Sequence, residues 1–217
     1  MVQMRTLASR SEWLTTRQSY IGGSEAACLV GMNPYQTNVD LWELKTGRRK
    51  APDLSDNPYV QYGAEAEKHL RELFKLDFPQ YDVRYDEFNL WTNSEYPFAH
   101  ASLDGWLIDR NGRRGVLEIK TANIQSAAQA DKWKDRIPDN YFCQVLWYMA
   151  VTEAKFAVLK AQLKYEHGEN DVFCMTRHYF IEREDCEDDI KMLMDAGRRF
   201  AEYLVRDERP PLILPNI

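Results

Sequence analysis

The residues best suited to chemistry lie in two short segments in the middle of the chain. Asp104 belongs to the first segment, and Glu118-Ile119-Lys120 belongs to the second. Successive side chains of a β-strand alternate between its faces, so Glu118 and Lys120 share one face of a predicted strand. Asn111-Gly112 lies between the segments and is a strong hairpin signal. Folding back there brings Asp104 within one residue of register with Glu118. Two carboxylates and one ammonium group are therefore predicted on one small patch.

This combination of residue types is typical of metal-assisted phosphodiester hydrolysis. Mg²⁺ prefers oxygen ligands and usually binds one or two carboxylates. Asp104 and Glu118, with the backbone carbonyl of Ile119, are the predicted ligands. Lys120 is predicted to orient the attacking water and to stabilise developing negative charge. Whether Lys120 also removes a proton stays open, because carboxylates and a metal shift its pKa in opposite directions. Taken alone, an E-x-K pair is also consistent with a surface ion pair.

Composition limits the class of protein. The 217 residues can form one sizeable core and contain no recognisable linker, so a single domain over 1–217 is predicted. A formal charge of -6 does not indicate a nucleic-acid partner, but a binding groove needs only local positive potential. The four cysteines form no C-x-x-C pair, which argues against a zinc ribbon. No apolar stretch is long enough to span a bilayer, so a soluble, cytoplasmic protein without a membrane partner is expected.

Helical and strand patterns alternate along the chain. Helices are predicted over 6–16, 24–30, 37–47, 56–74, 125–135, 138–151 and 185–205, with Ser24 as the N-cap of the second. Strands are predicted over 83–91, 98–108, 116–121, 156–163 and 172–181, the last two joined around Gly168. This order predicts an α/β or α+β fold in which helices flank a mixed sheet.

Two predicted helices carry polar residues where apolar ones are expected. Glu67 lies in the middle of an apolar stripe that includes Val60, which is costly unless the carboxylate meets a partner or a metal. A glutamate at the edge of the stripe is an equally good interpretation. Gln144 is the one strongly polar interior residue of a nearly all-apolar helix, and Tyr148 follows on the same face. A buried glutamine needs partners, either backbone groups or the acidic patch.

Together these motifs resemble the PD-(D/E)XK nuclease superfamily, and more narrowly the lambda-exonuclease and YqaJ-type viral recombinase family. The resemblance covers about residues 15 to 160. It rests on five segments in order, which contain Arg17 and Ser24, Glu67, Asp104, Glu118-Ile119-Lys120, and Gln144. Leu103 stands where the superfamily name implies a proline, but the aspartate after it carries the chemistry.

The resemblance implies a restriction-endonuclease-like core and Mg²⁺-dependent digestion of one strand of linear duplex DNA from an end, 5′ to 3′. The products would be 3′ single-stranded tails for phage-type recombination in a bacterial or phage-infected cell. Mn²⁺ is expected to substitute for Mg²⁺. A ring-shaped homotrimer and a single-strand annealing protein as partner are also implied.

The same resemblance implies roles for individual residues. Arg17 and Ser24 would bind the terminal 5′-phosphate, and Glu67 would complete the metal site. Gln144 would help to position the water or the scissile phosphate, with Tyr148 as a candidate supporting residue.

Two alternatives remain beside the exonuclease. A structure- or sequence-specific endonuclease on the same core would cut closed circular DNA and would need no free end. A catalytically silent protein with this fold would bind DNA or protein without cleavage. The intact set of Asp104, Glu118 and Lys120 argues against the silent protein.

Overall fold

The computed structural model of the chain describes residues 1–166 and 171–215. In these residues the elements in chain order are β1 (Val2–Thr6), α1 (Arg10–Gln18), α2 (Gly23–Ala26), α3 (Asn38–Lys45), α4 (Pro58–Asp77), β2 (Asp82–Arg84), β3 (Asn89–Asn93), β4 (Tyr96–Ala101), β5 (Gly105–Ile108), β6 (Arg114–Asn123), α5 (Ala127–Asp131), α6 (Asp139–Thr152), β7 (Phe156–Glu166), β8 (Val172–Glu182) and α7 (Glu187–Arg206). The predicted connection around Gly168 lies outside the described residues. None of the described helices is long and apolar enough to cross a membrane.

The main sheet is five-stranded and mixed, in the order β2-β5-β6-β7-β8. Strands β6 and β7 are parallel, and the other neighbours are antiparallel. A parallel pair needs a crossover connection, and α6 lies in the one that joins β6 to β7. A second sheet has the order β1-β3-β4. The predicted α/β class, with helices flanking a mixed sheet, is confirmed.

Strand β6 is covered on both faces. On one face, Leu117 and Ile119 belong to an apolar cluster with Leu70 and Phe74 of α4. The larger apolar core lies on the other face, and most residues of α6 belong to it. A strand covered on both faces has little contact with water, so the charged residues of β6 are removed from solvent unless a cavity reaches them.

The predicted N-terminal helix is present, but its predicted start was wrong. A helix was expected over 6–16, but residues Val2–Thr6 form β1 and pair with β3, and α1 begins only at Arg10. Ser9 caps α1 by accepting the Glu12 backbone N–H. Pairing with a strand more than 80 residues away decides this segment, and local sequence carries no signal for it.

Two predicted strands each proved to be two strands in different sheets. The segment 83–91 contains β2 and β3, and the segment 98–108 contains β4 and β5. Asp104 lies at the break between β4 and β5. The chain therefore changes sheets at the residue that carries the first predicted carboxylate.

Three smaller predictions also need correction. The N-cap of α2 is Gly22, whose N–H is bound by the Glu25 carboxylate, and Ser24 lies inside the helix. Val60 is 47% exposed, because the buried residues of α4 lie in its second half. The helix predicted over 125–135 is limited to Ala127–Asp131. Thr37 and Asn57 are the N-caps of α3 and α4.

Candidate active site

A single cavity of about 270 Å³ is lined by all eight side chains that the sequence analysis selected. They are Arg17, Ser24, Glu67, Asp104, Glu118, Lys120, Gln144 and Tyr148. These residues come from two N-terminal helices, from α4 and α6, from the β4–β5 turn and from β6. Residues more than 100 positions apart therefore meet in one small volume.

The two carboxylates of the hairpin are held next to each other by strand pairing. Gly105 pairs with Leu117, so Asp104 lies beside Glu118. One carboxylate oxygen of Asp104 accepts the backbone N–H of Ile119 at 2.8 Å. The structure records no contact that tests the Ile119 carbonyl as a ligand, and that role stays a prediction.

Glu118 lies at the centre of a chain of polar contacts. Its Oε1 is 2.6 Å from Lys120 Nζ and accepts a hydrogen bond from Gln144 Nε2 at 2.8 Å. The same Gln144 nitrogen donates to the Tyr148 hydroxyl at 3.0 Å. The glutamine of α6 therefore faces the acidic patch rather than the helix backbone. It fixes the orientation of a carboxylate that is 1% exposed.

Burial and mutual repulsion make the three carboxylates poor anions on their own. Burial, followed by the charge of Asp104, raises the pKa of Glu118 to about 8 and that of Glu67 to about 7. Burial also raises the pKa of Asp104. Glu118 Oε2 is buried and has no hydrogen-bond donor among the described residues. A divalent cation would offset the repulsion among the carboxylates and would give Glu118 Oε2 a partner. The donor set therefore fits Mg²⁺ or Mn²⁺.

The carboxylates are held by protein donors rather than grouped as ready metal ligands. Lys120 holds Glu118, and Arg71 holds Glu67 at 3.0 Å. Within residues 1–166 and 171–215, no three His, Cys, Asp or Glu side chains are grouped as metal ligands. The Glu67 side chain is 29% exposed, against 1% for Glu118.

Lys120 is held as a cation by its neighbours. Burial acts to lower its pKa, but the charges of Glu118 and Asp104 outweigh burial and raise the Lys120 pKa. The Tyr141 ring, 5.2 Å from Nζ, adds a cation–π contact. In this arrangement the lysine is an ammonium group that can donate hydrogen bonds.

The part of the cavity lining formed by Arg17 and Ser24, called here its cationic end, presents a guanidinium group and a hydroxyl. The Arg17 guanidinium stacks on the Trp13 ring at 4.0 Å. Trp13 is itself anchored by its indole N–H, which donates to the Asn89 carbonyl and to the Ser102 hydroxyl. Ser24 is exposed in the cavity lining.

Gly23 lets the segment that carries Ser24 pack against Tyr148, which belongs to the chain of polar contacts around Glu118. A Cβ added to Gly23 would lie 2.3 Å from the Tyr148 ring, so only glycine permits the contact. The segment that presents Ser24 is therefore packed directly on the tyrosine that binds Gln144.

Sequence reasoning missed three residues that support the site. Trp13 contacts Arg17, Arg71 contacts Glu67, and Tyr85 contacts Arg71. A signal existed for Arg71, which lies between the buried Leu70 and Phe74 on the apolar face of α4. Trp13 also had one, since it precedes Arg17 by one turn of the same helix. Tyr85 had none, because its partner Arg71 lies in a different element.

Comparison with known proteins identifies the family. The YqaJ-like viral recombinase domain matches residues 12–155, so the chain belongs to this family. The protein YqaJ of Bacillus subtilis (strain 168) is 33% identical over 157 residues, which are 70% of this chain and 46% of that protein. The chain thus spans about half the length of this curated relative.

Solved structures share the fold. An alkaline exonuclease (LHK-Exo) from Laribacter hongkongensis matches with a TM-score of 0.65 at 19% identity, over 91% of this chain and 93% of the other. A phage-related exonuclease from Haemophilus somnus 129PT matches with a TM-score of 0.53 at 15% identity, over 87% of this chain and 96% of the other.

Proposed function

We propose that this member of the YqaJ-like viral recombinase family is a metal-dependent exonuclease that digests one strand of linear duplex DNA from its 5′ end. The observation that carries the proposal is the convergence of eight predicted side chains on one cavity. Two features of that cavity matter most: a carboxylate set that favours a divalent cation, and the cationic end formed by Arg17 and Ser24. The exonuclease names of the structural matches point the same way.

The carboxylate end would bind the cation. Asp104, Glu118 and Glu67 would hold Mg²⁺, with the Ile119 carbonyl as a further ligand, and Mn²⁺ would substitute. Bound there, the cation would polarise the phosphoryl oxygen and lower the pKa of a bound water.

Lys120 and Gln144 would position the reacting groups. The Lys120 ammonium would donate to the attacking water or to a phosphoryl oxygen and stabilise the charge that develops there. Gln144 would keep Glu118 in a single orientation through its 2.8 Å hydrogen bond. Tyr148 accepts from the same amide and would keep that amide in place.

The cationic end would recognise the DNA terminus. Arg17 would bind the 5′-phosphate through its planar guanidinium, and the Ser24 hydroxyl would donate a further hydrogen bond. Stacking on Trp13 orders the guanidinium before the DNA arrives.

Products with 3′ tails would serve phage-type recombination, with a single-strand annealing protein as partner. A ring-shaped homotrimer around the duplex is proposed from the family resemblance.

The test compares linear duplex DNA with covalently closed circular duplex, each with Mg²⁺, with Mn²⁺ or with EDTA. The proposal predicts degradation of the linear molecule alone, and only with a divalent cation. Cutting of the circle would replace the exonuclease with an endonuclease and would remove the end-binding role of Arg17 and Ser24. Binding without any cleavage would leave a catalytically silent DNA-binding protein.

A further inference from the structure

Arg71 is a buried arginine that touches the cavity only through other residues. It lies on α4 one turn after Glu67 and is 5% exposed, although arginine is rarely buried without partners. One terminal nitrogen, Nη1, donates to Glu67 Oε1 at 3.0 Å and to the Asp104 backbone carbonyl at 2.6 Å. The guanidinium carbon lies 3.6 Å from the centre of the Tyr85 ring.

The two acceptors belong to two different elements of the site. Glu67 comes from α4, whereas Asp104 lies in the turn between β4 and β5. The Asp104 carboxylate in turn accepts the Ile119 N–H of β6 at 2.8 Å. Arg71 thus lies in a continuous chain of contacts that ties helix, turn and central strand together at the carboxylate set.

We propose that Arg71 is a positioning residue that sets the spacing between the Glu67 carboxylate and the Asp104 turn, and thereby prepares the carboxylate set for a divalent cation. This inference rests on the proposed function for its reaction, but its effect on cation binding does not depend on DNA cleavage. Arg71 itself touches neither cation nor DNA in this account.

The shape of the guanidinium matters as much as its charge. Arginine offers several N–H donors in a fixed plane, so one nitrogen can serve two acceptors while the face of the group stacks on an aromatic ring. A lysine at this position keeps the charge but has no flat face to stack on Tyr85. Arg71→Lys therefore separates positioning from simple charge neutralisation.

The chain provides a matched control in Arg183. Arg183 is also largely buried, forms an i,i+4 ion pair with Glu187 at 2.8 Å, and donates to the Met149 carbonyl at 2.7 Å. It does not belong to the lining of the 270 Å³ cavity. Arg183→Lys reproduces the same loss of arginine geometry in a purely structural setting.

The experiment makes three kinds of measurement on wild type, Arg71→Lys, Arg71→Gln and Arg183→Lys. The first is the Kd for Mn²⁺ alone, from isothermal titration calorimetry without DNA. The second is kcat and KM on linear duplex, and the third is Tm in EDTA. Both Arg71 variants should bind Mn²⁺ about 10–100-fold more weakly and lose kcat by a similar factor, as is typical when a residue that orients metal ligands is replaced. KM for DNA should stay near the wild-type value.

The control variant should change Tm alone. Arg71→Lys with wild-type Mn²⁺ affinity and kcat would overturn the proposal, whatever its Tm. A change in Tm equal to that of Arg183→Lys, together with unchanged Mn²⁺ affinity, would also overturn the proposal. Arg71 would then be a structural residue only. If neither Arg71 variant folds, Tyr85→Leu removes only the stacking face, and unchanged Mn²⁺ binding by that variant would contradict the account.

Failure of the proposed function gives a different result. Wild type that binds Mn²⁺ but leaves DNA intact would remove the exonuclease, while weaker Mn²⁺ binding by Arg71→Lys would still support the positioning role. Wild type that binds no Mn²⁺ would overturn both.

Discussion

Two lysines, the partly buried Lys120 and the buried Lys160, lie on neighbouring parallel strands and face opposite sides of the main sheet. Lys120 on β6 faces α6, and its side chain is 20% exposed. Lys160 on β7 pairs in register with Ile119, shares the α4 face, and is 1% exposed. By burial alone Lys160 is the more unusual residue.

The carboxylates near the two lysines, in contrast, make Lys120 the more unusual residue. Burial lowers the pKa of Lys160, and its carboxylate partner, Asp77, is 3.5 Å away and half exposed. The pKa of Lys120 is raised instead, because the charges of Glu118 and Asp104 outweigh burial. The carboxylates and the cavity around Lys120, rather than its degree of burial, distinguish it from Lys160. Lys160, which lacks that setting, serves as an internal control.

The largest difference between the two lysines is expected in turnover. Lys120→Ala should lower kcat on linear duplex by about 10²–10³-fold, since it removes a preorganised donor at the reacting phosphate. Initial rates with saturating Mg²⁺ measure this effect, and far-UV circular dichroism checks the fold. Lys160→Met is the control and should turn over at the wild-type rate. Equal rates for both variants would remove Lys120 from the mechanism.

The next effect concerns the cationic end of the cavity. Arg17→Ala should reduce the preference for 5′-phosphorylated over 5′-hydroxyl ends by about 10- to 150-fold, because a hydrogen bond to a charged group contributes about 1.5–3 kcal/mol. Competing digestion of the two substrates measures the preference. Arg5→Ala, an exposed arginine on β1, controls for net charge. A preference that survives in Arg17→Ala would contradict the phosphate assignment.

A smaller effect is expected from the hydroxyl of Tyr148. Tyr148→Phe keeps the ring packed on Gly23 but removes the acceptor for Gln144. A loss of about 1 kcal/mol, or about fivefold in kcat, is expected from one such hydrogen bond. Tyr179→Phe is the matched control, because its hydroxyl bonds the Trp133 carbonyl outside the cavity. An unchanged kcat in Tyr148→Phe would show that Gln144 needs no such support.

The smallest expected effect concerns the pH dependence of stability at Lys160, the control residue. Because the folded-state pKa of Lys160 lies below 10.5, the unfolded chain binds more protons at this group between the two values. Wild-type stability should therefore gain from this group as the pH rises towards 10.5. Lys160→Met should be at least as stable as wild type at pH 7, and its advantage should shrink in that window. Urea midpoints between pH 7 and 10.5 measure this, and a constant difference would contradict the lowered pKa.

The sequence predicted the local parts of the site well, for a physical reason. The alternation of Glu118 and Lys120 and the hairpin turn at Asn111-Gly112 are short-range patterns, and they place Asp104 beside Glu118 without knowledge of the rest of the chain. The overall class followed from the order of elements. The N-caps Thr37 and Asn57 bind backbone N–H groups only two or three residues away, so they too are local features.

What could not be predicted depends on distant partners. Strand β1 and the division of the segments 83–91 and 98–108 between two sheets are decided by pairing between strands far apart in sequence. The orientation of Gln144 towards Glu118 was left open for the same reason. The position of Arg71 on the apolar face of α4 could be seen in the sequence, but its contact with the Asp104 carbonyl spans 33 positions and could not.

The most direct test follows the release of separate 5′ and 3′ labels from linear duplex by wild type, Lys120→Ala and Lys160→Met in Mg²⁺. The account predicts early release of the 5′ label by wild type and Lys160→Met alike, and almost none by Lys120→Ala. Full activity in Lys120→Ala, or its loss in Lys160→Met, would place the chemistry elsewhere and contradict the account.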